Sequence, residues 1–273
     1  MKFNTISKLL ITSIAVLTLT ACMQSSTKKG TVGVDRQQIM TVSSSEMTKG
    51  AIKAYGQVLA DAKKKGNLNP SQKQLKQLRN IANRLIPHTS VFRKDAPKWK
   101  WEVNVIKSKQ LNAWCMPGGK IAFYTGIIEK LNLTDGEIAA IMGHEIAHAL
   151  REHGRERASQ AQMQNVGLAV LGAFTGVGNV GMGAAATVMN VTLSLPNSRK
   201  HEIEADRMGV ELAARAGYNP YDAVTVWQKM KKISKGGGPA EFLSTHPSNS
   251  SRIKDLKKYA KRVNHLYKNT YKK

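Results

Sequence analysis

The sequence predicts a mainly helical α+β fold that contains a small antiparallel sheet of about three strands. Residues 99–106 alternate apolar and polar side chains, whereas long segments elsewhere place apolar residues three and four positions apart, as amphipathic helices do. The chain has 273 residues, of which 41% are hydrophobic, so it can bury one substantial core. It shows no internal repeat, and residues 46–273 are predicted to form a single domain.

Helix ends are marked by capping residues and by proline or glycine. Thr134 and Glu137 have the spacing of a capping box ahead of an apolar run, so a helix is predicted from there through about residue 158. Asn219-Pro220 supplies a cap and a first-turn proline for another helix. The remaining helices are predicted at about 46–65, 71–86 and 199–216, and from about residue 249 onward.

Three strands are predicted between these helices. Residues 99–106 (WKWEVNVI) alternate as a half-buried strand does. The segments LNAWCM and KIAFYTG flank Pro117-Gly118-Gly119, which is the arrangement of a hairpin. An antiparallel sheet is the expected result.

The first 22 residues have the layout of an export signal. Two lysines accompany an apolar stretch from Leu9 to Leu19, which is too short for a comfortable membrane span. The sequence LTAC that ends at Cys22 resembles a bacterial lipobox, which implies cleavage before Cys22 and its acylation, including palmitate. Residues 1–21 are therefore predicted to be a lipoprotein signal peptide, and the polar residues 22–45 a flexible tether.

These features predict a lipid-anchored protein of the bacterial cell envelope that faces the periplasm. Met23 stands where a retention aspartate could follow the cysteine, which favours the outer membrane. With 42 Lys and Arg against 18 Asp and Glu, the chain carries a formal net charge of +24. In an exported protein this charge favours an anionic membrane surface as partner. Nucleic acid is not expected, because the basic residues are spread along the chain without an aromatic-interleaved motif.

Two features leave alternatives open. Cys115 is the only thiol left once Cys22 is acylated, and it is either a small buried apolar side chain or a reactive thiol. Residues 158–198 contain no charged residue and no histidine, but six glycines. This segment is compatible with a flap, with buried helices or with contact to the membrane, and its glycine and asparagine residues weaken the last alternative.

His144 and His148 provide the first signal of chemistry. They lie four residues apart on a predicted helix, so both rings project from the same face. Two neutral imidazoles with this spacing can bind Zn²⁺ at about 2.0–2.1 Å, and Glu145 beside them can take a proton from a metal-activated water. A catalytic zinc also needs a third protein ligand and an open fourth position.

The third ligand is predicted in the sequence EIEAD, which begins at Glu202. Glu202 and Asp206 are four residues apart and share a helix face. Glu202 is therefore assigned as the third zinc ligand, and Asp206 as the acceptor for the outer N–H of His144. Glu204 is turned about 200° from Glu202 and is expected to be solvated or paired with nearby bases, outside the site.

His153 is a less suitable ligand. A metzincin pattern needs glycine at 151 and histidine at 154, whereas this chain has Arg151 and Gly154. On a continuous helix, His153 also lies about 140° around the axis from His148. It is expected to be a surface histidine.

The combined motif resembles that of the gluzincin zinc peptidases of the HtpX and prenyl-protease group. HExxH at 144–148 is followed by ExxxD at 202–206, in the order of that family. The segments NAWCMPGGKIAFYTGII (112–128) and STHPSNSSRI (244–253) resemble its strand–hairpin and its C-terminal segment. With its lipobox, the chain most resembles LoiP-type periplasmic lipoprotein peptidases. The resemblance implies a zincin-like peptidase domain with a zinc-site core at about 90–260.

The resemblance implies a zinc metalloendopeptidase with one Zn²⁺ per chain. The ion would bind His144, His148 and Glu202, and Glu145 would act as the general base. The implied function is hydrolysis of peptide bonds in unfolded or damaged envelope proteins, with envelope chaperones or proteases as further partners. The alternative is a lipoprotein chaperone or adaptor with a latent or inactive zinc site, although such a binder has no use for Glu145.

Further residues acquire roles only through the resemblance. The strand at Asn112 and Ala113 would pair with an extended substrate. His246 would either stabilise the oxyanion or fill the fourth zinc position and hold the enzyme latent. Arg252 would assist in stabilising the oxyanion.

Overall fold

The computed structural model describes residues 23–175, 183–235, 241–246 and 250–270. The signal peptide predicted at 1–21 and the predicted acylation site Cys22 lie outside these residues. Helices form most of the described structure, and the strands form two small sheets. The mainly helical α+β fold is therefore confirmed.

The strands and helices follow one another in this order. The strands are β1 (Met23–Gln24), β2 (Gln38–Ile39), β3 (Glu102–Ile106), β4 (Ala113–Met116) and β5 (Lys120–Tyr124). The first helices are α1 (Ser44–Lys64), α2 (Gln72–Leu85), α3 (Thr125–Lys130), α4 (Asp135–Leu150) and α5 (His153–Thr175). After them come α6 (Ala184–Met189), a π-helical turn (Asn190–Ser194), α7 (Arg199–Arg215), α8 (Asp222–Lys235), α9 (Glu241–Thr245) and α10 (Ser250–Thr270).

The main sheet has the strand order β3–β5–β4, with β5 in the centre. β4 and β5 form the predicted antiparallel hairpin, in which Cys115 pairs with Ile121. β3 and β5 instead run parallel, with Val105 beside Phe123, so the antiparallel prediction is wrong for this pair and the sheet is mixed. The chain reverses twice between β3 and β5, which gives them the same direction. Alternating side chains cannot show which neighbour a strand takes.

Residues 23–43, called here the N-terminal segment, pack against the domain. The flexible tether predicted at 22–45 is therefore wrong for the residues that the structure describes there. The buried apolar residues of the segment are Val32, Val34 and Met40. Ser26 Oγ and Gln38 Nε2 also donate to the backbone carbonyl of Arg151, each at 2.8 Å. A polar composition suggested a tether, but these polar groups bind acceptors that only the folded domain offers.

Helix α4 begins with the predicted capping box. Thr134 Oγ1 accepts from the backbone N–H of Glu137, whose carboxylate accepts from the N–H of Thr134. The helix ends at Leu150, well before its predicted end. Glu152 then takes a left-handed backbone conformation, with φ of 53°, and α5 begins at His153. The chain thus changes direction directly after the HExxH motif.

Helices α4 and α7 cross at two glycines. A Cβ atom on Gly209 would lie 2.7 Å from the backbone nitrogen of His144, and one on Gly143 would lie 2.8 Å from the carbonyl oxygen of Gly209. Only hydrogen fits at this crossing, so the two backbones approach more closely than larger residues would allow. This approach brings His144 beside the acidic residues of α7.

The uncharged segment 158–198 contains packed helix on its C-terminal side. Helix α6 lies against α1, where a Cβ atom on Gly50 would be 2.7 Å from the carbonyl oxygen of Ala184, and Val188 is fully buried. No helix in the described parts of the chain is long and apolar enough to cross a membrane. Residues 176–182 of this segment lie outside the described residues.

Candidate metal centre

Four buried side chains converge where α4, α7 and the end of α9 meet. His144 and His148 come from α4, Glu202 comes from the first turn of α7, and His246 follows α9. Each offers one nitrogen or oxygen atom, and these atoms all lie within 4.8 Å of one another. The structure thus brings together the three zinc ligands assigned from the sequence, together with a fourth side chain.

The spacing of these atoms fits a zinc ion. Nε2 of His144 and Nε2 of His148 face each other at 3.1 Å. The two carboxylate oxygens of Glu202 lie 3.5 Å and 3.3 Å from them. Ligands of a tetrahedral zinc stand about 3.3 Å apart when each bond is about 2.0–2.1 Å long. Two imidazole nitrogens that face each other also need a proton or a cation between them.

Glu202 supplies the negative charge of the site. Its side chain is fully buried, and Nη1 of Arg252 lies 2.7 Å from its Oε2. Burial raises the pKa of Glu202, but the neighbouring histidines, His246 first among them, lower it more, so that this pKa lies well below its usual range. The carboxylate is therefore ionised, as a zinc ligand must be.

Asp206 lies behind His144, on the side away from the cluster. Its Oδ1 is 3.0 Å from Nδ1 of His144, whose Nε2 faces the cluster. Zinc-bound histidines nearly always donate their outer N–H to such a partner, which fixes the tautomer and the orientation of the ring. Asp206 thus lies where the sequence argument assigned it.

Glu145 lies beside the cluster on the same helix as the two histidines. Its side chain is buried, and its Oε1 is 3.6 Å from Nε2 of His246 without a hydrogen-bond partner among the described residues. Burial raises the pKa of Glu145 above its usual value. A carboxylate with a raised pKa and a free oxygen next to a metal site is suited to accept and return a proton.

His246 is the fourth side chain of the cluster. Its Nδ1 lies 3.0 Å from Oε1 of Glu202 and 3.3 Å from Nε2 of His144. The ring is buried and stacks on Phe242, with 4.2 Å between the ring centroids. Of the two roles left open by the resemblance, this conformation matches the fourth zinc ligand.

Arg252 binds the two carboxylates of α7 that belong to the site. Its Nε and Nη2 donate to the two oxygens of Asp206 at 2.8 Å and 2.7 Å, and its Nη1 faces Glu202. The guanidinium is buried and lies 3.8 Å from the centroid of the Trp227 ring. These contacts favour a role in holding the two carboxylates of α7 in place, and the oxyanion role of Arg252 remains a prediction.

The predicted substrate strand forms one edge of the main sheet. Ala113 begins β4, which pairs only with β5 among the described strands. The preceding carbonyl, that of Asn112, accepts the backbone N–H of Tyr124 at 3.0 Å. The N–H of Phe242 donates to the carbonyl of Leu111 at 2.9 Å, which ties α9 to the start of this strand. Pairing between β4 and an extended peptide remains a prediction.

Cys115 is buried in β4. Burial raises the pKa of its thiol well above the usual value, so the thiol is protonated near neutral pH. Of the two alternatives for Cys115, the structure favours the small buried apolar side chain.

Two residues that the sequence placed outside the site lie directly behind it. His153 is fully buried, with its Nδ1 2.8 Å from Nδ1 of His148 and its Nε2 2.9 Å from Oε2 of Glu204. The expectation of a surface histidine is wrong, because it assumed one continuous helix and the break at Glu152 turns His153 back toward His148. Glu204 is paired with arginine side chains, which is one of its two expected states, but it is buried behind His153. The charged residues that begin at Arg151, directly after the apolar helix, are the sequence signal of the break at Glu152.

Comparison with known proteins identifies the family. The sequence profile of peptidase family M48 matches residues 72–260, which is well over half of the chain. The chain belongs to peptidase family M48. The matched region contains both ligand motifs and the main sheet.

The relatives include mitochondrial and bacterial proteins. The mitochondrial metalloendopeptidase OMA1 of Arabidopsis thaliana is 39% identical over 156 residues, which are 57% of this chain and 31% of that protein. The protein of the same name from Saccharomyces cerevisiae is 34% identical over 179 residues, 62% of this chain and 49% of that protein. The β-barrel assembly-enhancing protease of Escherichia coli K12 is 24% identical over 195 residues, with coverage of 68% and 39%. The chain spans about a third to a half of the length of these relatives.

Family membership confirms the gluzincin resemblance, the zinc metalloendopeptidase class and a cofactor of one zinc ion. The predicted location, a bacterial cell envelope with the outer membrane favoured, is contradicted: the relatives that are 30–39% identical are mitochondrial metalloendopeptidases by name. That prediction depended on residues 1–23, which lie outside the region that the family profile matches.

Proposed function

We propose that this protein is a zinc-dependent endopeptidase that hydrolyses peptide bonds in unfolded or damaged proteins. The observation that carries the proposal is the buried carboxylate of Glu145 beside the cluster of His144, His148 and Glu202. These three residues would hold a zinc ion, which would act as a Lewis acid and would lower the pKa of a water toward about 7. A protein that only binds zinc needs the ligands but not this carboxylate.

Glu145 handles the proton in this mechanism. Its free Oε1 accepts a proton from the attacking water, and the same carboxyl group then donates a proton to the leaving amine. The raised pKa of Glu145, caused first by burial, brings the carboxyl nearer to the pH at which both transfers are efficient. Asp206 and Arg252 meanwhile hold His144 and Glu202 in their orientations.

An extended polypeptide is the substrate that the edge strand favours. β4 pairs with β5 on one side and is buried in this conformation, so a substrate strand would add at its other edge, beginning at Asn112 and Ala113, once that edge is uncovered. Such pairing recognises the backbone, and it requires a segment without structure of its own. This mode of binding supports a role in protein quality control.

Replacing Glu145 by glutamine tests the proposal. We expect casein hydrolysis to fall by about 10²–10⁴-fold, because glutamine cannot take the proton of the water. Zinc content should remain one ion per chain, since Glu145 is not a ligand. Glu129→Gln, at an exposed glutamate of α3, is the matched control and should cleave like wild type. Equal rates for Glu145→Gln and wild type would rule out this mechanism.

The position of His246 favours a second candidate, in which the zinc site is latent. Its Nδ1 lies close to Glu202 and His144, so the imidazole can complete a four-coordinate site that has no place for water. Structural zinc sites are closed in this way. A chaperone or adaptor would keep this state permanently, whereas a peptidase would use it as a resting state from which His246 withdraws.

Replacing His246 by alanine distinguishes a resting peptidase from an inactive site. We expect casein hydrolysis to rise by up to about tenfold, because the fourth position is then open in every molecule and not only in a minor population. His265→Ala, at an exposed histidine of α10, is the control. Absence of hydrolysis in wild type and in His246→Ala would favour the chaperone or adaptor. A fall in rate would instead assign His246 to the oxyanion.

A further inference from the structure

Behind His148, two buried side chains continue the hydrogen bonding outward from the cluster. His148 faces the cluster with Nε2, so its Nδ1 carries the proton of the neutral ring. This N–H donates to Nδ1 of His153, 2.8 Å away. Nε2 of His153 then carries the ring proton and donates to Oε2 of Glu204 at 2.9 Å. With one proton on each of the two imidazole rings, every N–H in this chain of hydrogen bonds has an acceptor.

The far end of this chain of hydrogen bonds is held by two arginines. Oε2 of Glu204 accepts from Nε of Arg151 at 3.2 Å, and its Oε1 accepts from Nε of Arg36 at 2.7 Å. Arg36 belongs to the N-terminal segment and also pairs with Glu156 of α5 at 2.6 Å. Charge-assisted bonds on both oxygens fix the orientation of the Glu204 carboxylate.

The ring of His153 is also held from the side. It stacks on the ring of His201, with 4.4 Å between the centroids and 18° between the planes. Nε2 of His201 lies 3.2 Å from Oε2 of Glu156, and all three side chains are buried. The packing therefore keeps His153 directed at His148.

We propose that His153 and Glu204 are positioning residues of the zinc site, which fix the tautomer and the ring orientation of His148. For the other histidine ligand, His144, the carboxylate of Asp206 lies directly beside the outer ring nitrogen, at 3.0 Å. For His148, the carboxylate of Glu204 acts through the imidazole of His153, which lies between them. Mutating a residue that accepts the second ring N–H of a zinc-bound histidine typically lowers metal affinity by about 10–100-fold. Arg36 ends the chain of contacts, so the N-terminal segment contributes to the zinc site without touching it.

Zinc affinity and the cobalt spectrum measure this role directly, whether or not the protein hydrolyses peptides. His153→Phe keeps a planar ring but removes both nitrogens, and we expect zinc affinity, measured by chelator competition, to fall about 10–100-fold. The d–d absorption of the Co²⁺-substituted protein should shift, because His148 loses its fixed orientation. Asp255→Asn weakens an ion pair between α10 and Arg207 of α7 and is the matched control, for which both readouts should remain unchanged.

A graded series separates positioning from general destabilisation. Glu204→Gln keeps the shape and one acceptor oxygen, so its zinc affinity should lie between that of wild type and that of His153→Phe. The double variant should bind zinc as weakly as His153→Phe alone, because Glu204 acts through His153. Thermal unfolding shows which variants fold. If His153→Phe does not fold, the zinc affinity of Glu204→Gln tests the proposal. Wild-type affinity and spectrum in the folded variants, or additive losses in the double variant, would overturn the assignment.

Discussion

Replacing Glu202 by glutamine should remove zinc from the protein and abolish peptide hydrolysis. Glu202 supplies the only carboxylate among the four clustered side chains, and glutamine keeps its shape but not its charge. Structural zinc sites bind with about 10–16 kcal/mol, or roughly 2.5–4 kcal/mol for each of four ligands. Loss of one ligand therefore lowers zinc affinity by about 10²–10³-fold.

Chelator competition on Glu202→Gln and Glu204→Gln compares the two glutamates of α7 directly. Glu202→Gln should lose zinc and hydrolysis together. Glu204→Gln should bind zinc more weakly than wild type, but it should hydrolyse casein once zinc is saturating, because the three ligands and Glu145 are intact. Zinc affinity of Glu202→Gln equal to that of wild type would remove Glu202 from the ligand set.

The site residues that could be predicted from the sequence are those whose positions depend on spacing within a single helix. His144 and His148 are four residues apart, as are Glu202 and Asp206, so a helix alone places each pair on one face. The structure then joins the two faces, with the outer nitrogen of His144 3.0 Å from Asp206. The capping box at Thr134 predicted the start of α4 for the same reason, since it depends on residues three positions apart.

Predictions failed where the orientation of a side chain, strand or segment depends on contacts between distant parts of the chain. The left-handed residue Glu152 ends α4 and turns His153 toward His148, and helical periodicity does not signal such a turn. The pairing of β3 with β5 depends on strand order, which alternation does not reveal. The N-terminal segment packs on the domain through partners that lie far away in sequence, such as Glu204, which pairs with Arg36.

Replacing Arg252 by leucine should destabilise the fold, and the loss should be larger in the absence of zinc. Arg252 is 2% exposed and pairs with Asp206 and Glu202, so leucine leaves two buried carboxylates without this counter-charge. Removing one partner of a buried ion pair costs about 3–5 kcal/mol. Arg252→Lys keeps the charge but not the two parallel bonds to Asp206, so its loss should be smaller. Urea unfolding measures both variants.

Zinc should offset part of this loss, because a cation in the site supplies positive charge beside the same carboxylates. The free energy of unfolding of Arg252→Leu should therefore fall more in the apo-protein than in the zinc-loaded protein. Arg207→Leu, which removes a partly exposed ion pair with Asp255, is the control and should cost no more than about 1 kcal/mol. If Arg252→Leu instead matched wild type in unfolding and in zinc affinity but had a lower kcat, Arg252 would act on the oxyanion. We expect the loss of stability, because the two bonds from Arg252 to Asp206 hold the guanidinium behind the zinc ligands.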